Sequence, residues 1–282
     1  MSNEILDRVK IICNTYKIQP VRQKGQNFLI DQAVLKKIVE AAELGKDDIV
    51  LEVGPGLGIL TEELVKKAKK VISVELDQKF FEFLKTKFSG VNNLELINGD
   101  ILELGIRNYE LGIRYKIVAN LPYNITSRFL KKFLTAEHKP AAMTLLVQKE
   151  VAQRICARPG QMSLLSVSVQ LYGQPEIVAI VGRDNFWPKP EVDSAILKIS
   201  AIKNQPALAE FLAGITEETF WQLVRIGFSS RRKQLQNNLT SGLKIPSVEV
   251  KNLLKKANFN PQIRAQNLSV RDWITLARKL NF

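Results

Sequence analysis

The stretch IVANLPYNITS (117–127) sets three strand-forming residues, Ile117, Val118 and Ala119, before an amide, a proline and an aromatic ring. Proline cannot donate a ladder hydrogen bond, so the strand stops there. Asn120 and the Leu121 backbone then offer acceptors, Pro122 stiffens the turn, and Tyr123 presents a ring face. A second cluster lies upstream. Gly54-Pro55-Gly56-Leu57-Gly58 follows a strand-like run and opens a helix, which lets backbone amides approach a ligand. Its spacing is G-x-G-x-G rather than the G-x-G-x-x-G of a nicotinamide-binding turn, and Glu52 stands just before it. Glu75 ends the next strand-like run, where a carboxylate can hold the two hydroxyls of a ribose. Asp100, in NGD, ends the third, within reach of an adenine amino group in the same crevice. One acid at a strand end is usually a solvated loop residue. Suitable groups at consecutive strand ends suggest a nucleoside-shaped site.

These residues need a scaffold of strands alternating with helices. IVLEV (49–53), VISVEL (71–76), LELIN (94–98), YKIVA (115–119), MTLLVQ (143–148), SVSVQLY (166–172) and SAILKIS (194–200) read as strands. Helical spacing runs from Leu57 to Ala68 and from about Asp77 to Phe88, and Asp31 is placed to cap a helix reaching Leu44. Strands separated by helices predict βαβ units and a mainly parallel sheet. Beyond about residue 204 the pattern becomes helical, around 206–214, 217–228, 231–240, 247–257 and 269–280, and AIKNQPAL is the expected boundary.

The 282 residues carry 41 Lys+Arg against 28 Asp+Glu, a net charge of +13. Residues 205–282 contribute 12 Lys/Arg and 5 Asp/Glu. Such a field attracts polyanions, nucleic acid above all. The basic stretch Arg225 to Lys233, with Arg231 and Arg232 inside it, and Lys251, Lys255 and Lys256 are candidate phosphate contacts. His138 is the sole histidine, in the polar stretch TAEHKP, so histidine triads and His-rich metal sites are hard to build. No metal is expected. Cys13 and Cys156 form no motif and read as reduced thiols. With no apolar run long enough to span a membrane and no secretory h-region at the start, a cytoplasmic protein without a membrane partner is expected. Lys149, Glu150 and Arg154 read as an intrahelical ion-pair set.

The glycine loop with Glu75 and Asp100 resembles class I S-adenosylmethionine-dependent methyltransferases. That likeness implies a Rossmann-like α/β domain with a mainly parallel seven-stranded sheet over residues 1–204, including an N-terminal extension, plus a small all-α domain over 205–282. The tetrapeptide Asn120-Leu121-Pro122-Tyr123 resembles the [N/D/S]-[I/P/L]-P-[Y/F/W] signature of amino-methyltransferases acting on nucleobases or glutamine. An adenine N6 amine delocalises its lone pair and is a poor nucleophile. Two carbonyls accepting its N–H bonds would hold the nitrogen pyramidal with the lone pair aimed at the methyl.

The ordered set GQNFLID (25–31), EVGPGLGILT (52–61), VELD (74–77), GD (99–100), NLPYNITS (120–127), QKEVAQR (148–154), NFWPKPEVDSAIL (185–197), FSSRRKQLQNNL (228–239) and RAQNLSVRDWITLA (264–277) is similar to one family. That family is the 16S ribosomal RNA adenine N6,N6-dimethyltransferases, matched from about residue 18 to Leu280. The resemblance implies dimethylation of N6 on two adjacent adenosines in the loop of the 3′-terminal helix of 16S rRNA. Four methyl donors would be used, on the small (30S) subunit during its assembly, by a monomer. By motif, Asn27, Leu29, Gly54, Glu75, Asp100 and Asn120 would line the S-adenosylmethionine pocket, and Tyr123 and Phe186 would sandwich a flipped adenine. Two departures are visible: ARPGQMSLLSV (157–167) is shorter than the family's usual loop, and Thr126 stands where serine is common.

Two alternatives stand beside this reading, a 23S rRNA adenine N6-methyltransferase of the resistance type and a non-catalytic ribosome-assembly or RNA-binding factor. RRKQLQNNL and NFWPKPEVDSAIL favour the small-subunit enzyme. Intact Asn27, Glu75, Asp100, Asn120 and Tyr123 favour catalysis.

Overall fold

The computed structural model describes residues 4–20, 26–104 and 114–280. Gly25, quoted above in GQNFLID, lies outside them. The chain divides into two compact units, Met1–Ala152 with Gln174–Ile202, and Gln153–Gly173 with Lys203–Phe282. The boundary read at 204/205 lies beside the start of the second unit's main segment. The detour through Gln153–Gly173 has no counterpart in that reading.

The first unit is built on a seven-stranded sheet of β2 (Ile49–Val53), β3 (Lys70–Glu75), β4 (Leu94–Asn98), β5 (Tyr115–Asn120), β6 (Ala142–Gln148), β7 (Gln174–Val181) and β9 (Ser194–Ser200). Their order is β4-β3-β2-β5-β6-β9-β7. The β2–β3, β2–β5, β3–β4 and β5–β6 pairs are parallel, and β9 runs antiparallel to both its neighbours. Val50, Val71, Val118, Leu146 and Ile196 form one core cluster with Leu35 and Ile38 of α2 (Gln32–Ala41) and Leu60 and Leu64 of α3 (Ile59–Lys67). Their alternate neighbours Leu51, Ile72, Ile117, Leu145 and Leu197 are equally buried. Both faces of the sheet are therefore covered, as a parallel sheet requires.

α2 starts as expected, with Asp31 accepting from the Val34 amide at 2.8 Å. Phe80, Phe83 and Leu84 of α4 (Gln78–Lys87) form a second cluster with Val9 and Cys13 of α1 (Glu4–Thr15) and with Phe28 and Leu57. Outside the large sheet, β1 (Phe28–Leu29) pairs antiparallel with β8 (Phe186–Trp187).

One strand assignment is corrected. SVSVQLY is not a strand: Leu164–Gln170 is the helix α7. Ser163 and Ser166 form a reciprocal capping box that satisfies amides at its start. Ser166, Val167, Val169 and Leu171 are all buried, so serine–valine alternation marks no exposed face. The missing seventh strand is QPEIVAIV, β7, which pairs only with β9. As an edge strand it tolerates Pro175, whose missing amide costs no ladder bond on the open side.

The second unit carries α7 with α8 (Gln205–Leu212), α9 (Glu217–Gly227), α10 (Leu235–Leu243), α11 (Ser247–Lys256) and α12 (Val270–Lys279). α9 packs against α10 and α12, and α10 against α11, around Phe220, Leu223, Leu239, Leu254 and the wholly buried Trp273. Gly227 is needed there, because a Cβ on it would sit 2.2 Å from the Trp273 ring. The short 157–167 segment is fastened by Gln266, whose carbonyl accepts from the Gly160 and Met162 amides and whose side chain donates to the Gly160 carbonyl.

Candidate active site

The carboxyl ends of β2, β3, β4 and β5 open into one cleft of about 390 Å³. Gln26, Asn27, Gly54, Glu75, Asp100, Asn120 and Pro122 line it. This is the crevice where ligands bind in open α/β sheets.

The glycine loop is held from several sides. The Gly54 amide donates to the Val74 carbonyl at 3.0 Å, and the Gly58 amide to the Pro55 carbonyl at 2.8 Å. Gly58 has φ +71°, and a Cβ there would lie 2.6 Å from the Phe88 ring. Lys87 donates to the Leu57 carbonyl at 2.6 Å and pairs with Glu62 at 2.8 Å, so α4 braces the loop through a half-buried cation.

Glu75 is positioned by backbone. Its carboxylate accepts from the Gly56 amide at 3.0 Å and the Asp77 amide at 2.9 Å. Burial raises its pKa, and those amide bonds oppose the shift. Asp100 accepts from the Leu102 amide at 2.8 Å, which leaves its other oxygen for a ligand. Lys132, on α5 (Thr126–Leu134), ties down the Leu102 and Leu104 carbonyls beside it.

Glu52 is the unusual acid. It is 1% exposed, accepts from Thr61 and Ser73 hydroxyls at 2.8 and 2.6 Å through one oxygen, and leaves Oε1 with no partner. Burial pushes its carboxyl up to about 7, the hydroxyl bonds pulling the other way.

At the end of β5, the Asn120 amide nitrogen donates to the Asn27 carbonyl at 3.2 Å. The amide oxygen is thereby the end left for an incoming donor. Leu121 has its side chain in the core and its amide on the Leu146 carbonyl at 3.2 Å, so its backbone carbonyl is what it can offer. Tyr123 opens a 3₁₀ turn (Tyr123–Ile125), half-buried, with its hydroxyl 2.7 Å from the Ser194 hydroxyl. Its side chain does not line the cleft as drawn by the residues above. Leu29 and Phe186 also stand back from it: they face each other in the β1–β8 ladder, Phe186 being 3% exposed, and share the α2–α3 core cluster.

Several lining residues escaped the sequence reading, among them Gln26, Asp77, Asn124 and Arg128. Arg128 lies one helical turn past Asn124, a spacing that could have flagged it. Among the described residues lining the cleft it is the only cation, against Glu52, Glu75, Asp77 and Asp100. Lys149, expected to pair within its helix, α6 (Lys149–Ile155), instead reaches Asp193 at 3.6 Å.

In the second unit, Arg225, Arg231, Arg232, Lys233, Lys251, Lys255 and Lys256 are all exposed. Buried Asn238 donates to the Gly227 and Ser230 carbonyls at 2.6 and 3.1 Å, fixing the turn that carries Arg231 to Lys233. Arg225 is partly occupied by the Trp221 carbonyl at 3.1 Å.

Residues 19–281 match the model of the family Ribosomal RNA adenine dimethylase. A Ribosomal RNA small subunit methyltransferase A from Dehalococcoides mccartyi is 45% identical over 271 residues, covering 95% of this chain and 91% of its own. Its counterpart from Moorella thermoacetica is 38% identical over 272 residues, covering 93% and 92%. Among solved structures, a dimethyladenosine transferase from Plasmodium falciparum superposes with TM-score 0.74 at 28% identity, covering 89% of this chain and 96% of its own. The 23S rRNA methyltransferase ErmE does so at 0.72 and 29%, covering 91% and 100%. The family model spans nearly the whole chain and the relatives agree with it over more than nine-tenths of their length, so the chain belongs to the ribosomal RNA adenine dimethylase family.

Proposed function

We propose that this enzyme dimethylates N6 of two adjacent adenosines in the loop of the 3′-terminal helix of 16S rRNA, on the small ribosomal subunit, with S-adenosylmethionine as donor. The observation that carries the reading is Asn120: its donor end is tied to Asn27, and its acceptor end is left beside the cleft formed by Gly54, Glu75 and Asp100. The cleft chemistry fits the donor. Glu75 and Asp100 suit ribose hydroxyls and an adenine amine, and the carboxylates of Glu75, Asp77 and Asp100 suit a ligand bearing sulfonium and ammonium charges. Bound there, S-adenosylmethionine supplies an electrophilic methyl. Asn27 and the Leu29 backbone border the same pocket in this proposal.

The Asn120 side-chain carbonyl and the Leu121 backbone carbonyl accept the two N–H bonds of the adenine amine. Pro122 fixes the direction of the Leu121 carbonyl. Tyr123 stacks on the extruded base, and Phe186 closes its other face once the β8 segment yields room. Alignment supplies the catalysis, with no strong base involved. Arg128 meets a phosphate next to the target nucleotide, and Arg225, Arg231, Arg232 and Lys233 hold rRNA backbone. The enzyme works as a monomer in the cytoplasm.

A large-subunit reading draws on the ErmE likeness at 29% identity, against 45% and 38% for the relatives named for the small subunit. Incubating undermethylated small and large subunits with labelled donor separates the two. Label on the small subunit, lowered about a hundredfold or more by Asn120→Ala with RNA binding retained, is the expected outcome. Near wild-type transfer by Asn120→Ala would falsify the N6 geometry.

A further inference from the structure

Stacking on a base needs only the ring of Tyr123 and not its hydroxyl. The Tyr123 hydroxyl lies 2.7 Å from the Ser194 hydroxyl, and Ser194 is 0% exposed. Ser194 opens β9 and is held in two ladders at once, opposite Gln148 of β6 and Val181 of β7. Its hydroxyl is therefore a fixed point of the sheet. Tyr123 is held far less firmly, by a short 3₁₀ turn after Pro122 and one hydroxyl bond from Thr126 to its carbonyl at 3.3 Å. Neither the turn nor that bond reaches the ring, whose described hydrogen bond is the one between its hydroxyl and Ser194.

Ser194 also ends the segment that begins with Phe186. The β1–β8 ladder, together with the Ile30 amide on the Asn185 carbonyl at 2.9 Å, pins the first end of that segment. The Tyr123 bond ties the second end to the turn that follows β5.

We propose that Ser194 is a positioning residue for methyl transfer, its hydroxyl holding the Tyr123 ring in the pose that receives the extruded base and setting its spacing from the Phe186 segment. The inference rests on the reading that Tyr123 faces the base. Burial keeps the Tyr123 hydroxyl protonated, so the bond persists across the working pH range.

The test compares Ser194→Ala, Tyr123→Phe and their combination in methylation of undermethylated small subunits. A neutral hydrogen bond of this kind corresponds to about a tenfold change. Each single variant should lose about tenfold in kcat, with KM for the subunit and affinity for S-adenosylhomocysteine unchanged, because the ring meets the base only after docking. The double variant should also lose about tenfold, both changes removing the same bond. Ser194→Cys, close in size and still a weak donor, should recover part of the rate and replaces Ser194→Ala in the comparison if that variant does not fold. Wild-type kcat in folded Ser194→Ala, or losses that multiply to about a hundredfold, would overturn the inference. Tyr123→Ala separates the two layers. If it transfers methyl normally, the stacking role of Tyr123 is wrong. If it is crippled while Ser194→Ala is not, only the positioning role fails.

Discussion

Replacing Glu52 by glutamine isolates the most perturbed carboxyl of the cleft. In the folded chain this group titrates near 7 instead of at its ordinary 4.5. Between those values the folded state keeps a proton that the unfolded state has released, so stability falls as pH rises. Below 4.5 both states hold the proton and nothing is lost. Above 7 both are ionised and the full penalty remains, about 3 kcal/mol at 1.36 kcal/mol per pKa unit. Burial is the main cause, Glu75 adds to it, and Thr61, Ser73 and the Lys87 charge offset part of it. Between pH 5.5 and 8.5 about 2 kcal/mol of the penalty develops. Glutamine keeps an acceptor for Thr61 and Ser73 and cannot ionise. Urea unfolding of both proteins at the two pH values should therefore show the glutamine variant gaining about 2 kcal/mol relative to wild type on going from pH 5.5 to 8.5. Parallel pH profiles would refute the buried, proton-holding carboxyl.

Gly58→Ala forces a left-handed residue to carry a Cβ 2.6 Å from the Phe88 ring. Left-handed strain and overpacking together should cost about 3 kcal/mol in urea unfolding, and an unchanged midpoint would contradict the packing described. Replacing Arg231, Arg232 and Lys233 together by alanine should leave the fold intact, since Asn238 fixes their turn through backbone carbonyls. RNA binding should weaken, and the slope of log K against log salt should become shallower by about 2, read by filter binding. Arg128→Ala should weaken affinity for the small subunit while sparing that for S-adenosylhomocysteine. The reverse pattern, read by calorimetry, would mean that Arg128 serves the cofactor's carboxylate instead.

The central strands were legible in sequence because each is an apolar run of the right length bounded by polar residues. IVLEV, LELIN and SAILKIS form strands over the residues read. An acid or amide at or just past the end of such a run falls at a carboxyl end, which is why Glu75, Asp100 and Asn120 are legible as a group. SVSVQLY misled because Ser166, Val167, Val169, Leu171 and Tyr172 are all buried, so its alternation marks no exposed face, and serine capping then decides for helix. β7 hid behind Pro175, which only an edge position excuses. The helix at residues 231–240 starts later than its periodicity suggested, at Leu235, because Asn238 and the preceding turn use those residues to hold carbonyls. The Tyr123–Ser194 bond joins residues 71 positions apart and leaves no local pattern, so only the folded chain displays it.

The most direct measurement maps modified adenosines by mass spectrometry in rRNA from a strain lacking this gene, before and after the gene is restored. Two adjacent N6,N6-dimethyladenosines in the 3′-terminal loop of 16S rRNA should disappear with the gene and return with the wild type but not with Asn120→Ala. Intact dimethylation of 16S rRNA without the gene, or loss confined to 23S rRNA, would contradict the proposed function.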